Sequence, residues 1–326
     1  MQTTYPDVGS PLFYTVFAVA VLVMIGIDML SLKRQGVHQV RFKEAVIWST
    51  IWVAVSCAFA LWLYFELAGN PQYGTAVAKE KVMEYFTAYV LEKSLAVDNI
   101  FVFLMIFAYF KVPNEYQHRV LLYGVLGAIV MRVLLISVGV ILVQRFSWIL
   151  YIFGAFLVFT GIKMLLPEKA DKDDLGDHFI LRQLKKILHV SPNFDREKFF
   201  TIENGKRVAT PLFLVLLMVE MSDIIFAVDS IPAVFAVTTD PFILITSNIF
   251  AILGLRAMYF LLAGAADRFV LLQYGLAFVL TFIGVKMLVA GFWHIPIAIS
   301  LSVVFGAIGA SMLISLRYDR RDKEDV

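Results

Sequence analysis

Five carboxylates stand inside long apolar stretches of this chain, and these are the residues whose types and spacing could do chemistry. Glu92 and Asp98 lie in LEKSLAVDNIFVF (91–103), and Glu220, Asp223 and Asp229 lie in VEMSDIIFAVDSIPAVF (219–235). A charge at the centre of a membrane helix costs about 2.5–3.5 kcal/mol, so five uncompensated acids would cost on the order of 12–18 kcal/mol. They must be protonated, paired, hydrated or bound to a cation. Lys93, Arg132 and Arg256 are the deep bases available to compensate them. The acidic excess that remains suits one divalent cation, with a purely structural ion-pair network as the alternative.

Ligand type narrows the cation. Asn99, Ser94, Ser222 and Ser230 complete an all-oxygen set, which fits Mg2+, Ca2+ or Mn2+. His38, His118, His178, His189 and His294 all fall in or beside expected loops, and Cys57 is the single cysteine, so zinc and copper are disfavoured. Met218 and Met221 flank Glu220 and could add a soft contact favouring manganese, although methionines in apolar helices are mostly filler. Asp28 is expected to be an interfacial charge facing Lys33 and Arg34. Helix geometry limits the site: Glu220 and Asp223 share a face, but residues six apart point about 120° away from each other. Either these helices have polar surroundings on much of their circumference or they are locally unwound. Pro232 supports unwinding in the second, because it removes the amide that would bond the Val228 carbonyl.

The elements that must position these residues are membrane helices. The chain is 60% hydrophobic and only 17% charged, against roughly 45–50% and about 25% in soluble domains. Nine stretches are long and apolar enough to span: 12–30, 45–68, 83–110, 120–143, 148–166, 211–235, 243–264, 270–290 and 295–316. The first lacks a positive leader and is too long for a cleaved signal, so it reads as a retained helix. With the N-terminus outside, the outer loops carry only Lys79, Lys81 and Arg145. Apart from Lys93, Arg132, Lys163, Arg256 and Lys286 within spans, every other Lys and Arg falls inside. The orientation is therefore N-periplasmic and C-cytoplasmic.

Two stretches repeat. Superposing AVDN on AVDS sets Glu92 against Asp223 and Asp98 against Asp229. Further on, GAIVMR ending at Arg132 matches AILGLR ending at Arg256, and FTGIKML with Lys163 matches FIGVKML with Lys286. Each copy holds three spans, an odd number, so the second enters the membrane from the opposite side. Inverted-topology repeats are the usual build of secondary transporters, with the site near the midplane. The expected fold is thus all-α, a polytopic transmembrane bundle of about nine spans containing an inverted repeat. The expected divisions are a tail with two peripheral helices (1–82), repeat A (83–166), a cytoplasmic loop (167–210), repeat B (211–290), and a last helix with its tail (291–326). Within the loop, the acidic run 171–177 reads as a solvated linker ahead of a possible cation site, and 178–190 as an interfacial amphipathic helix. KFFTIENGKRVAT (198–210) reads as a hairpin turning at Asn204-Gly205.

Several function classes are disfavoured. The net charge of +2 gives no general basic excess for nucleic acid. One cysteine cannot make a CxxC pair, and no GxGxxG, GxxxxGK[ST] or HExxH pattern appears. The chain is expected not to be an enzyme and to hold no cofactor, the cation being cargo.

EKSLAVDN (92–99), VEMSDIIFAVDSIPA (219–233), TSNIFAILGLRAMYFLL (246–262) and the FTGIKML/FIGVKML pair resemble the TerC family of integral membrane proteins, the loop layout being most similar to Alx-type members. The resemblance implies a bacterial inner-membrane protein that exports Mn2+ in metal and alkaline stress. Glu92, Asp98, Asn99, Glu220, Asp223 and Asp229 would be its metal positions, with Lys93, Arg132 and Arg256 compensating their charge. It also implies distant similarity to LysE-type exporters. The partners expected are a divalent metal ion, the lipid bilayer and protons in exchange, with oligomeric state left open. The rival readings are a membrane-bound redox or stress modulator linked to tellurium resistance, and a LysE-like exporter of a small organic cation.

Overall fold

The computed structural model describes residues 7–35, 42–146, 148–165, 188–203, 205–263, 272–293 and 295–324. The acidic run 171–177, most of the segment 178–190, and Asn204 lie outside the described residues, as do the side chains of Lys33, Arg34, Asp98 and Asp229. Among the described residues the chain forms ten helices: α1 (Pro11–Gln35), α2 (Phe42–Gly69), α3 (Gly74–Tyr109), α4 (Asn114–Arg145), α5 (Ile149–Leu165), α6 (Pro211–Phe235), α7 (Pro241–Leu253), α8 (Leu255–Ala263), α9 (Leu272–Val289) and α10 (Ile297–Glu324). One antiparallel hairpin joins β1 (Phe200–Glu203) to β2 (Lys206–Ala209), with Glu203 opposite Lys206. Gly205 in its turn has φ 74, a left-handed conformation that glycine adopts without steric cost.

This is a polytopic helical membrane protein. Helices α1, α2, α4, α6 and α10 are long and apolar enough to cross a bilayer, and α7 with α8 would make a sixth as one bent span. α3 is long enough but carries Glu92, Lys93 and Asp98 along its apolar stretch. Large apolar side chains cover the outside, among them Leu22, Phe65 and Phe159, each about two-thirds exposed. In water such a surface would be unstable, whereas lipid tails solvate it.

Local sequence explains where the helices begin and break. Pro11, Pro211 and Pro241 open α1, α6 and α7, at a position whose amide has no helical partner anyway. Asp240 caps α7, its carboxylate accepting from the Phe242 and Ile243 amides. The unwinding expected at Pro232 is absent: α6 is continuous, because Pro232 falls in its last turn and forfeits a single hydrogen bond. The break lies instead at Gly254, where α7 and α8 meet at 41°. α3 also starts earlier than expected, at Gly74, so Lys81 is a buried helical residue and not part of an outer loop.

The helices pack in pairs. α3 lies against α2, α6, α7 and α10, while α4 lies against α6 and α7. α5 and α9 make the most extensive contact through glycines. Gly161 faces Ala277 and Thr281, and Gly284 faces Gly154 and Val158. A Cβ on Gly284 would come 2.6 Å from the Gly154 carbonyl oxygen, so the two backbones touch.

Candidate functional site

Arg132 organises the centre of the bundle. Arginine is expensive inside an apolar core unless its fork of donors is met by acceptors. Here α4 carries it into a gap between α3, α6 and α7, where it is 1% exposed. Its Nη1 donates to the Glu92 carboxylate, to Ser230 Oγ at 2.9 Å and to Asn248 Oδ1 at 3.4 Å. Its Nη2 lies 3.5 Å from Asp223 Oδ1. The other Glu92 oxygen accepts from Asn248 Nδ2 at 3.0 Å, and Asn99 Nδ2 reaches Asp223 Oδ1 at 3.4 Å. Four helices thus converge on one guanidinium and two buried carboxylates.

The network is incomplete on one side. Asp223 Oδ2 and Arg132 Nε are buried without a hydrogen-bond partner among the described residues. Asp223 also lines a small pocket walled by Phe103, Leu121, Val219 and Ile252. Glu220, one turn before Asp223 on α6, lies against Gly127 of α4, with its carboxylate in the space a Cβ there would need. Among the described residues no three His, Cys, Asp or Glu side chains stand close enough together to hold a metal ion. The positive group between Glu92 and Asp223 in this conformation is Arg132.

Comparison with known proteins places the chain. The Integral membrane protein TerC family matches residues 77–323. The chain belongs to the TerC family. An Escherichia coli protein named "Putative membrane-bound redox modulator Alx" is 54% identical over 320 residues, which is 97% of this chain and 98% of that one. An uncharacterized membrane protein of Myxococcus xanthus is 45% identical over 313 residues, 96% and 94% of the two chains. One of Rickettsia bellii is 39% identical over 292 residues, 90% and 91%. No solved structure matches the chain.

Within this TerC chain the expected site residues separate. Glu92, Asn99, Asp223 and Arg132 come together, and Glu220 borders them. Asp98 and Asp229 lie on the same two helices, α3 and α6, but their side chains are outside the described residues. Among the described residues Arg256 bonds none of the motif acids. It bonds Asp28 of α1 at 2.6 Å, and Asp28, expected to face Lys33 and Arg34, is 5% exposed in the bundle. Among the described residues Lys93 has no carboxylate within ion-pair distance, and its Nζ donates to the Ala251 carbonyl at 2.8 Å. Ser94 and Ser222 spend their hydroxyl protons on the carbonyls of Val90 and Met218 in their own helices. Met221 faces outward, so of the two methionines only Met218 is buried.

Sequence reasoning missed two features of the TerC chain. Asn248 was legible only as part of the polar triplet Thr246-Ser247-Asn248 inside an apolar stretch, a signal that warranted weight. The second is a polar cluster at the far end of α3. Lys81 bridges Glu84 at 3.0 Å and Asp240 at 3.1 Å, Thr238 donates to Glu84 at 2.7 Å, and the Val8 amide donates to Asp240 at 3.2 Å. It ties the segment before α1 to the start of α7.

Proposed function

We propose that this TerC chain is a secondary-type transporter that exports a divalent metal cation, Mn2+ in particular, across the bacterial inner membrane. The observation that carries the reading is the buried Asp223 oxygen, which has no hydrogen-bond partner among the described residues, beside a small pocket and a guanidinium that Glu92 shares. Two buried acids compensated by one arginine attract a further cation. Glu92, Asn99, Asp223 and Glu220 would bind it, joined by Asp98 and Asp229 from the same helices. Arg132 holds the carboxylates when cargo is absent. Ligand carboxylates must be deprotonated to bind metal, so proton exchange is the natural coupling.

The transporter architecture proposed with it has nine spans, an outside N-terminus, and repeats at 83–166 and 211–290. Reciprocal glycine contacts support the repeat. Gly161 and Gly284 are aligned in FTGIKML and FIGVKML, and each meets the counterparts of the residues that the other meets. The break at Gly254 is of the kind found in transporter helices at substrate depth.

The test is uptake of radioactive manganese into inside-out vesicles containing wild type, Asp223→Asn or Asp229→Asn. Both variants are expected to insert normally and to lose flux, and unchanged flux would overturn the reading. A second reading, a membrane-bound redox or stress modulator, is favoured by the name given to the Escherichia coli relative. A thiol form of it predicts that Cys57→Ser abolishes the response, whereas the transporter reading predicts no effect.

A further inference from the structure

Lys93, like Arg256, is a deep base that the described carboxylate site does not use, and unlike Arg256 it has no carboxylate within ion-pair distance among the described residues. It follows Glu92 directly, so the two side chains leave α3 about 100° apart. Glu92 faces Arg132 and Asn248, whereas Lys93 reaches the end of α7. Its Nζ donates to the Ala251 carbonyl at 2.8 Å and lies 5.9 Å from the centre of the Tyr89 ring. A Cβ on Gly254 would fall 2.5 Å from Nζ and 3.4 Å from Trp52, so the ammonium fills the space left by a glycine at the helix break. Among the described residues no carboxylate lies within ion-pair distance of Lys93.

What meets this ammonium at hydrogen-bond distance is therefore a carbonyl in the last turn of a helix. Carbonyls of a last turn have no amide of their own helix to accept from and are open to other donors or cations. The face of an aromatic ring adds attraction for a cation. A freed carbonyl and an aromatic face also attract an alkali cation, and the carbonyl ends of broken helices bind such ions in other transporters.

We propose that the carboxyl end of α7 is a monovalent-cation position, separate from the divalent-cation site, which this chain fills with its own Lys93 ammonium. The position is built for Na+ or K+, and the tethered ammonium makes a free ion unnecessary. Its consequence for transport rests on the reading above: divalent-cation flux in the wild type needs neither Na+ nor K+.

The experiment compares full-length wild type, Lys93→Met, Lys93→Gln and Lys93→Arg in detergent, in choline, sodium or potassium chloride at equal ionic strength. Thermal unfolding of Lys93→Met is expected to rise by about 2 °C or more when Na+ or K+ replaces choline, because the ion binds only the folded state. Wild type and Lys93→Arg, which keep a cation in place, are expected to unfold alike in all three salts. Lys93→Gln retains a donor for the Ala251 carbonyl and serves where Lys93→Met does not survive purification, with the same response expected. A flat response in the neutral variants, or an equal response in wild type, overturns the proposal. This readout needs no transport, so it stands apart from the vesicle assay: absent manganese flux in wild type overturns the transporter reading alone. Where wild type does carry manganese, flux in Lys93→Met becomes dependent on Na+ or K+ by about tenfold. Flux in that variant that ignores both ions counts against the proposal.

Discussion

The Arg132 guanidinium lies 3.5 Å from one oxygen of Asp223, while the other oxygen of that carboxylate is buried without a hydrogen-bond partner among the described residues. Arg132 is also bonded to Glu92, both of whose oxygens are met, so one positive group serves two acids and the unmet oxygen belongs to Asp223. A buried ionic group left short of partners is costly, and such sites persist where the missing partner is a ligand.

Removing the arginine should expose that imbalance. Arg132→Gln leaves Glu92 and Asp223 buried together, and a loss of about 3–5 kcal/mol in stability is expected. Added Mn2+ should recover more of this loss than it adds to wild type, because the cation then takes the vacated position. Thermal melts in detergent with and without Mn2+ measure the difference. Equal metal responses in the two proteins would count against a cation site between these acids.

Gly127 gives a way to move Glu220 without removing it. A methyl group at this position collides with the Glu220 carboxylate, which is the far end of a flexible side chain and can swing aside. Gly127→Ala should therefore fold with a penalty of no more than about 1–3 kcal/mol. It should nevertheless raise the manganese concentration needed for half-maximal flux. An unaltered concentration dependence would place Glu220 outside the binding set.

The contact between α5 and α9 depends on the absence of side chains. Gly284→Leu would push its side chain into the Gly154 carbonyl and Val158. The helices would have to separate, so a loss of at least about 1–3 kcal/mol is expected from overpacking. The loss should appear in the unfolding midpoint, with Gly306→Leu as a control, since no atom lies near a Cβ there.

Beyond the helix bundle, Asp195 accepts from Lys198 Nζ at 3.0 Å and from Thr201 Oγ1 at 2.9 Å. These bonds hold its carboxyl below the usual carboxylate range. A depressed folded-state value means that the stabilisation is present above the unfolded value and is lost as pH falls through the folded one. The protection of the amides at 199–209, taken relative to the intrinsic exchange rate at each pH, should therefore fall on acidification. Asp195→Asn should exchange faster at neutral pH and show less of that acid-side change. An identical pH profile in both proteins would show that the bond does not support the hairpin.

Much of the helical layout was legible from composition, because twenty consecutive apolar residues have few stable arrangements other than a membrane helix. The candidate site was legible only as a set of costs: each intramembrane charge had to have a partner, and the sequence could not say which. Arg132 and Arg256 end the similar segments GAIVMR and AILGLR, yet Arg132 joins Glu92 and Asp223 while Arg256 joins Asp28 on α1. Partner choice depends on which helices are neighbours, and no periodicity within one helix reports that. Lys81 misled for a related reason, since a lysine at the end of an apolar stretch looks interfacial until Glu84 and Asp240 are seen to enclose it.

The sequence by itself determined that this chain lives in a membrane, that its motif acids fall on two apolar stretches, and that each of them needs a compensating partner there. These follow from transfer costs that each residue carries wherever it is placed. Only the tertiary structure decided that α6 stays whole at Pro232, that the break falls at Gly254, and that Lys93 ends on a carbonyl and not on an acid. A proline within the last turn of a helix sacrifices one hydrogen bond. A glycine beside a buried ammonium gives up a side chain whose space another helix requires. Both outcomes turn on what stands across the gap, which is set by packing among residues far apart in the chain.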